Sequence, residues 1–203
     1  TLQGTNSNGS YSRGNTYPST AVPYPMHSYS AQTGKNGDGW KYTYEGKTIR
    51  GFQEVHQCSP WVNDYCVWSL MPVIGKLVVN ENDRATAFSH DNEIAKPYYY
   101  RVQFDNGIIT EVSPTERAGH WRFTFPQGQD AFLVLDGYTG QSQIQIDPEN
   151  QRITGWAHNG NWLVPGKLKA HFILQFDRPF KACGTWENRN NAIEPANYTA
   201  GGD

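Results

Sequence analysis

The residues with chemical potential crowd into Gly51–Pro72, GFQEVHQCSPWVNDYCVWSLMP. Glu54 and His56 stand two apart, so on a strand both would face the same way. Glycoside hydrolysis needs two carboxyl groups flanking the scissile bond. Asp38, Glu54 and Asp64, with Asp91, Glu93 and Glu116 further on, have the right chemistry, but no spacing makes a pair of any two. Ser59, His56 and Asp64 have the side chains of a nucleophilic triad without a GxSxG elbow. His56, His90 and His120 would form a metal site only if their loops converged. Cysteine–histidine ligand spacing is absent, so no metal ligand is assigned. The chain has neither GxxxxGK[ST] nor GxGxxG to cradle phosphate. Stacking remains. A loop tryptophan can floor a sugar pocket and still donate its N–H. Trp40, directly after Asn36-Gly-Asp-Gly39, and Trp61 are placed for that role, whereas Trp68 in the apolar run VWSLM is expected in the core.

Composition agrees with a polar, uncharged ligand. A net charge of -2 over 203 residues gives no signal for nucleic acid, and charged residues make up 18% against 14% aromatic. Sugar rings present apolar C–H faces between hydroxyls and suit such a surface. No apolar run approaches the ~18 residues that span a membrane. Cys58, Cys66 and Cys183 are an odd number; Cys58 and Cys66 could close a short loop in an oxidising compartment. A chain beginning at Thr1 reads as a mature or trimmed product.

The elements that must position these residues read as strands. Residues 1–39, rich in Gly, Ser and Asn but also in Tyr, are expected as ordered loop laid over a larger body. Lys41–Tyr44 and Lys47–Phe52 suggest a hairpin around Glu45-Gly46, and Leu70–Val79 a strand interrupted at Pro72 and Gly75. Phe88–Pro97 looks polar and irregular. Tyr98–Asp105 then alternates cleanly, Asn106-Gly107 is a two-residue hairpin signal, and Ile108–Ser113 returns. His120–Phe125, Ala131–Asp136, Gln141–Asp147, Arg152–Ala157 and Leu168–Phe176 follow, before a tail with no closing strand. Strands at roughly ten-residue spacing without a helix predict an all-β, antiparallel β-sandwich in which each sheet buries one face.

Four ordered blocks resemble glycoside hydrolase family 92, the exo-acting α-mannosidases. Asn15-Thr-Tyr-Pro18 with Ala21-Val-Pro-Tyr-Pro-Met26 is similar to the family's HTYPGA-x-PFGM opening, and Gly51-Phe52, His56, Asp64-Tyr65 and Ser69-Leu-Met-Pro72 to its GFSHTH…GDY…SLMP block. Phe88–Pro97 with Tyr99-Tyr100 resembles FSHENE-x-A-x-PGYY, and Thr115-Glu-Arg117 with Phe123–Pro126 resembles TERxGxHRYTFP. Departures are Glu54 in place of the first His, the bulkier Ser59-Pro60-Trp61-Val62-Asn63 in the following loop, and Tyr98 in place of Gly.

The resemblance implies that residues 1–203 are a single N-terminal β-sandwich domain, trimmed at both ends. Its much larger partner, an (α/α)6 barrel, is absent from this sequence. The full enzyme would be a calcium-dependent, inverting α-mannosidase of α-1,2 linkage preference, acting on mannose-terminated glycans in N-glycan degradation, in the bacterial periplasm or outside the cell. Acid, base and most calcium ligands would come from the barrel, leaving no catalytic residue here. This chain would supply one wall of the mannose pocket through Trp40, His56, Trp61 and Asp64. The alternative reading is a free-standing carbohydrate-binding β-sandwich.

Overall fold

The computed structural model describes residues 2–7, 10–11, 14, 16–36, 41–56, 66–137, 141–158, 168–186, 193–195 and 199–202. Its strands are β1 (Ser28–Gln32), β2 (Thr48–Ile49), β3 (Gly51–Val55), β4 (Cys66–Ile74), β5 (Thr86–Lys96), β6 (Tyr99–Phe104), β7 (Ile109–Pro114) and β8 (Gly119–Thr124). There follow β9 (Ala131–Asp136), β10 (Ser142–Asp147), β11 (Arg152–Ala157), β12 (Ala170–Gln175), β13 (Gly184–Trp186), β14 (Ile193–Pro195) and β15 (Thr199–Gly202). No helix occurs among the described residues. The strands pair antiparallel in sheets ordered β1-β3-β4-β9, β2-β5-β6-β7-β8 and β12-β11-β10-β15, with a β13-β14 ribbon. The all-β sandwich is therefore present.

The alternating segments form where their pattern directs. On β6, Tyr100, Val102 and Phe104 are buried while Tyr99, Arg101 and Gln103 are not. The chain reverses at Asn106-Gly107, where Gly107 takes a φ of +88° that a side chain would resist. Phe52 of β3 meets Tyr100 and Phe104 of β6 edge to face, at centroid distances of 6.1 and 6.2 Å. These contacts join the first two sheets. β4 also lies against β11 and β12, whose Ala157 and Phe172 enter the same core.

Several segments differ from the sequence reading. β1 lies inside the stretch expected as loop. Lys41–Phe52 forms no hairpin: β2 pairs with β5, while β3 pairs with β1 and β4. Phe88–Pro97 belongs to the eleven-residue β5, whose register against β6 shifts between Phe88 and Glu93; that bulge explains its broken alternation. β4 runs straight through Pro72, because its pairing with β3 ends at Leu70 and the missing N–H forfeits no ladder bond on that side. The tail returns as β15 against β10.

The first sheet also departs from burial on one face. Consecutive residues of β1 and of Trp68–Val73 are all buried, so both faces are covered. Its second face is partly polar and is satisfied internally. Ser69 Oγ donates to Gln32 Oε1 (2.7 Å) and Gln32 Nε2 to Asn36 Oδ1 (2.7 Å). Asn36 Nδ2 and Arg84 Nη2 both donate to Asp136 Oδ2, at 3.1 and 2.9 Å.

Candidate functional site

The β1–β3 register builds the site. Ser28 pairs with Val55 and Tyr29 with Glu54. Directly opposed residues in an antiparallel pair share a face, as do residues two apart. Tyr29 and Glu54 therefore point the same way. So do His27, just before β1, and His56, just after β3. The Glu54–His56 spacing seen in the sequence is thus realised, and His27 joins it.

Glu54 Oε1 lies 3.5 Å from His27 Nδ1 and 3.9 Å from His56 Nε2, and the two imidazole centroids are 6.1 Å apart. Exposure rises across the trio: the side chains of His27, Glu54 and His56 are 5%, 14% and 35% accessible. Burial lowers the His27 pKa, helped by the neighbouring His56 charge and opposed by the Ala118 backbone. Burial also raises the Glu54 pKa, against the pull of His56 and of the Trp68 indole. Both shifts favour the neutral forms of His27 and Glu54. Trp68 Nε1 is buried and completes no hydrogen bond of ordinary geometry among the described residues.

Aromatic rings close the inner wall. Tyr29 meets Trp121 edge to face at 5.1 Å, and Trp68 meets Trp121 at 6.2 Å. Burial and the Glu54 charge push the Tyr29 phenol pKa up. Gly119, at the start of β8, admits that phenol: a Cβ there would stand 2.5 Å from Tyr29 Cζ and 2.7 Å from its hydroxyl.

The three histidines considered as convergent do not gather. His90 is tied on both ring nitrogens, to Glu93 Oε2 and to the Tyr44 carbonyl, each at 2.6 Å. His120 lines a separate surface cavity with Tyr99, Glu111 and Arg122. Only His56 enters the trio. Trp40, Trp61 and Asp64 lie outside the described residues, as do Asp38 and Cys58. Trp68 is buried in the core as expected. Cys66 is buried on β4 with its Sγ 3.7 Å from Gln53 Oε1. Sequence reasoning missed His27, whose only signal is pairing register across a gap in the chain. Glu93 is sealed by Tyr42, Tyr100 and His90, and Asp136 by Arg84, so neither is available for proton transfer to a substrate.

The model of the glycosyl hydrolase family 92 N-terminal domain matches residues 1–202. The chain belongs to that family. A family GH92 inverting mannosidase from Bacteroides thetaiotaomicron superposes with a TM-score of 0.92 and 38% identity, over 100% of this chain and 27% of its own. A family GH92 α-mannosidase of the same organism gives 0.79 at 22% identity over 99% of this chain and 29% of its own, a likeness of fold. An uncharacterized secreted glycosidase of Arthroderma benhamiae is 27% identical over 128 residues, 58% of this chain and 16% of that protein. This family domain thus spans little more than a quarter of the solved mannosidases.

The calcium implied by the family does not fit the trio. Calcium takes six to eight oxygen ligands, and His27, Glu54 and His56 offer one carboxylate and two imidazoles.

Proposed function

We propose that this chain is the N-terminal β-sandwich domain of a glycoside hydrolase family 92 α-mannosidase and forms one wall of its mannose pocket. The supporting observation is the family match over residues 1–202, joined to full-length superposition on an inverting mannosidase at 38% identity. The domain's role is to bind and to shape. His56 and the residues that follow β3 form the pocket wall, with Trp40, Trp61 and Asp64 as further contacts to the sugar. Acid and base lie in the remainder of the longer enzyme, an (α/α)6 barrel. An inverting reaction places its two carboxyls roughly 6.5–9.5 Å apart to admit water. Glu54, Glu93 and Asp136, held as described above, do not supply such a pair. Calcium is likewise held mainly by the barrel. The substrate is a mannose-terminated glycan with α-1,2 linkage, met in N-glycan degradation in the periplasm or outside the cell.

The test is hydrolysis of an aryl α-mannoside and of α-1,2-mannobiose by the full-length enzyme, with and without a calcium chelator. Turnover that collapses in chelator and returns with calcium is expected. Absence of any mannosidase activity sinks the proposal, and full activity in chelator sinks the calcium requirement. The isolated domain should show no turnover. Saturable mannose binding by the isolated domain, lost in Trp40→Ala, would favour a free-standing carbohydrate-binding module instead.

A further inference from the structure

We propose that His27, Glu54 and His56 form a binding site for a divalent transition metal of the zinc type. One ligand atom from each residue lies within 4.8 Å of the others. Within the trio the contacts are longer than hydrogen bonds. Charge-assisted N–H···O bonds run at about 2.7–2.9 Å, whereas the contacts to Glu54 Oε1 are 3.5 and 3.9 Å.

A cation accounts for the spacing. Nitrogen and oxygen ligands sit about 2.0–2.2 Å from zinc, so tetrahedral ligand atoms stand roughly 3.3–3.6 Å apart. The His27–Glu54 separation already lies within that range. The longer arm, 3.9 Å, belongs to His56, the most exposed of the three. The donor set selects the metal class. Two imidazoles and a carboxylate suit zinc, cobalt or nickel, whereas calcium and magnesium prefer oxygen. Three protein ligands leave a fourth position for water or another oxygen ligand, on the His56 side where the trio opens to solvent. The backbone contributes rigidity: His27 and His56 flank paired strand ends, and Glu54 sits within the pair.

The experiment uses the full-length protein, stripped with chelator and then saturated with calcium to fill any oxygen-ligand site. Zinc is titrated in and counted by elemental analysis, and cobalt serves as a spectroscopic probe. One retained zinc is expected, with cobalt bands of tetrahedral or five-coordinate type. Glu54→Gln and His56→Ala should each weaken zinc binding at least about tenfold. His27→Gln risks the fold, since that ring is buried; His56→Ala, at the open edge, keeps the test decisive if its melting matches wild type. Equal zinc affinity in wild type, Glu54→Gln and His56→Ala overturns the proposal, as does a calcium-loaded protein that takes up no zinc. The readout is metal content, so loss of mannosidase activity bears on the functional proposal alone.

Discussion

Glu93 has no exposed side-chain surface. It accepts from the Tyr42 hydroxyl at 2.9 and 3.0 Å and from the Tyr100 hydroxyl at 2.6 Å, and its second oxygen meets His90 Nδ1 at 2.6 Å. Burial and the Glu93 charge drive both phenol pKa values up. Removing the charge leaves these donors around an amide that also donates. Glu93→Gln should therefore destabilise by about 1.5–3 kcal/mol in urea unfolding, the range for hydrogen bonds to a charged group; a change below about 1 kcal/mol would discard this account. Glu111 shows the exposed counterpart. Hydrogen bonds from Arg122 and Tyr99 hold its carboxyl below the usual range. A depressed acid stabilises above its unfolded pKa and loses that contribution as pH falls through the folded value. The contribution should thus be complete above about pH 4.5, vanish in stronger acid, and shrink with salt because Arg122 is solvated. Thermal melts of wild type and Glu111→Gln across pH and salt check this; a difference between them that persists in strong acid rejects it. Glu54 and His56 were legible in the sequence because a spacing of two is local. His27 was not, since its place depends on Ser28 meeting Val55 across more than twenty residues.

The same contrast governs the elements. β6, β7 and β8 were legible because each buries one face and the Asn106-Gly107 turn sets their register. β1 was hidden because its sheet is covered on both sides. Ser28, Ser30 and Gln32 are buried there, so SYSAQ shows no apolar alternation. β5 was hidden by its bulge. Aromatic packing between these sheets makes Gly119 a test of the arrangement. Trp68 and Trp121 lie around the Tyr29 ring, so it cannot retreat freely from a new methyl group. Gly119→Ala should cost about 1–3 kcal/mol by overpacking and displace Tyr29, with Glu54 beside it. Double-mutant analysis with Tyr29→Ala checks the cause: the penalty of Gly119→Ala should largely disappear once the ring is gone. An undiminished penalty would assign it to the strand backbone instead.

At the scale of the whole molecule, the trio shares one end of the fold with an apolar surface. The segment leading to His27 runs past the β5–β6 and β7–β8 turns, with Ala21 N–H bonded to the Pro97 carbonyl at 2.6 Å and Met26 N–H to the Glu116 carbonyl at 3.0 Å. Tyr24, Met26 and Tyr98 there are 97%, 66% and 60% exposed. Tyr24 also takes a φ of +59°. A non-glycine residue in that region costs on the order of 1–3 kcal/mol and persists where surrounding structure over-determines it. The described residues leave its ring in solvent. The strain is accounted for if the ring packs against the remainder of the longer enzyme, of which the solved relative's matching portion is 27%. This extends the mannosidase proposal and separates two effects of one substitution. In the isolated domain, Tyr24→Gly relieves the left-handed strain and removes an exposed side chain, so melting should not fall. If that packing exists, the substitution would remove it from the full-length enzyme, so the first thermal transition should drop and KM for an aryl α-mannoside should rise. Equal, small effects in both contexts would place this surface away from the domain interface. A loss confined to the isolated domain would show that Tyr24 supports the sandwich itself.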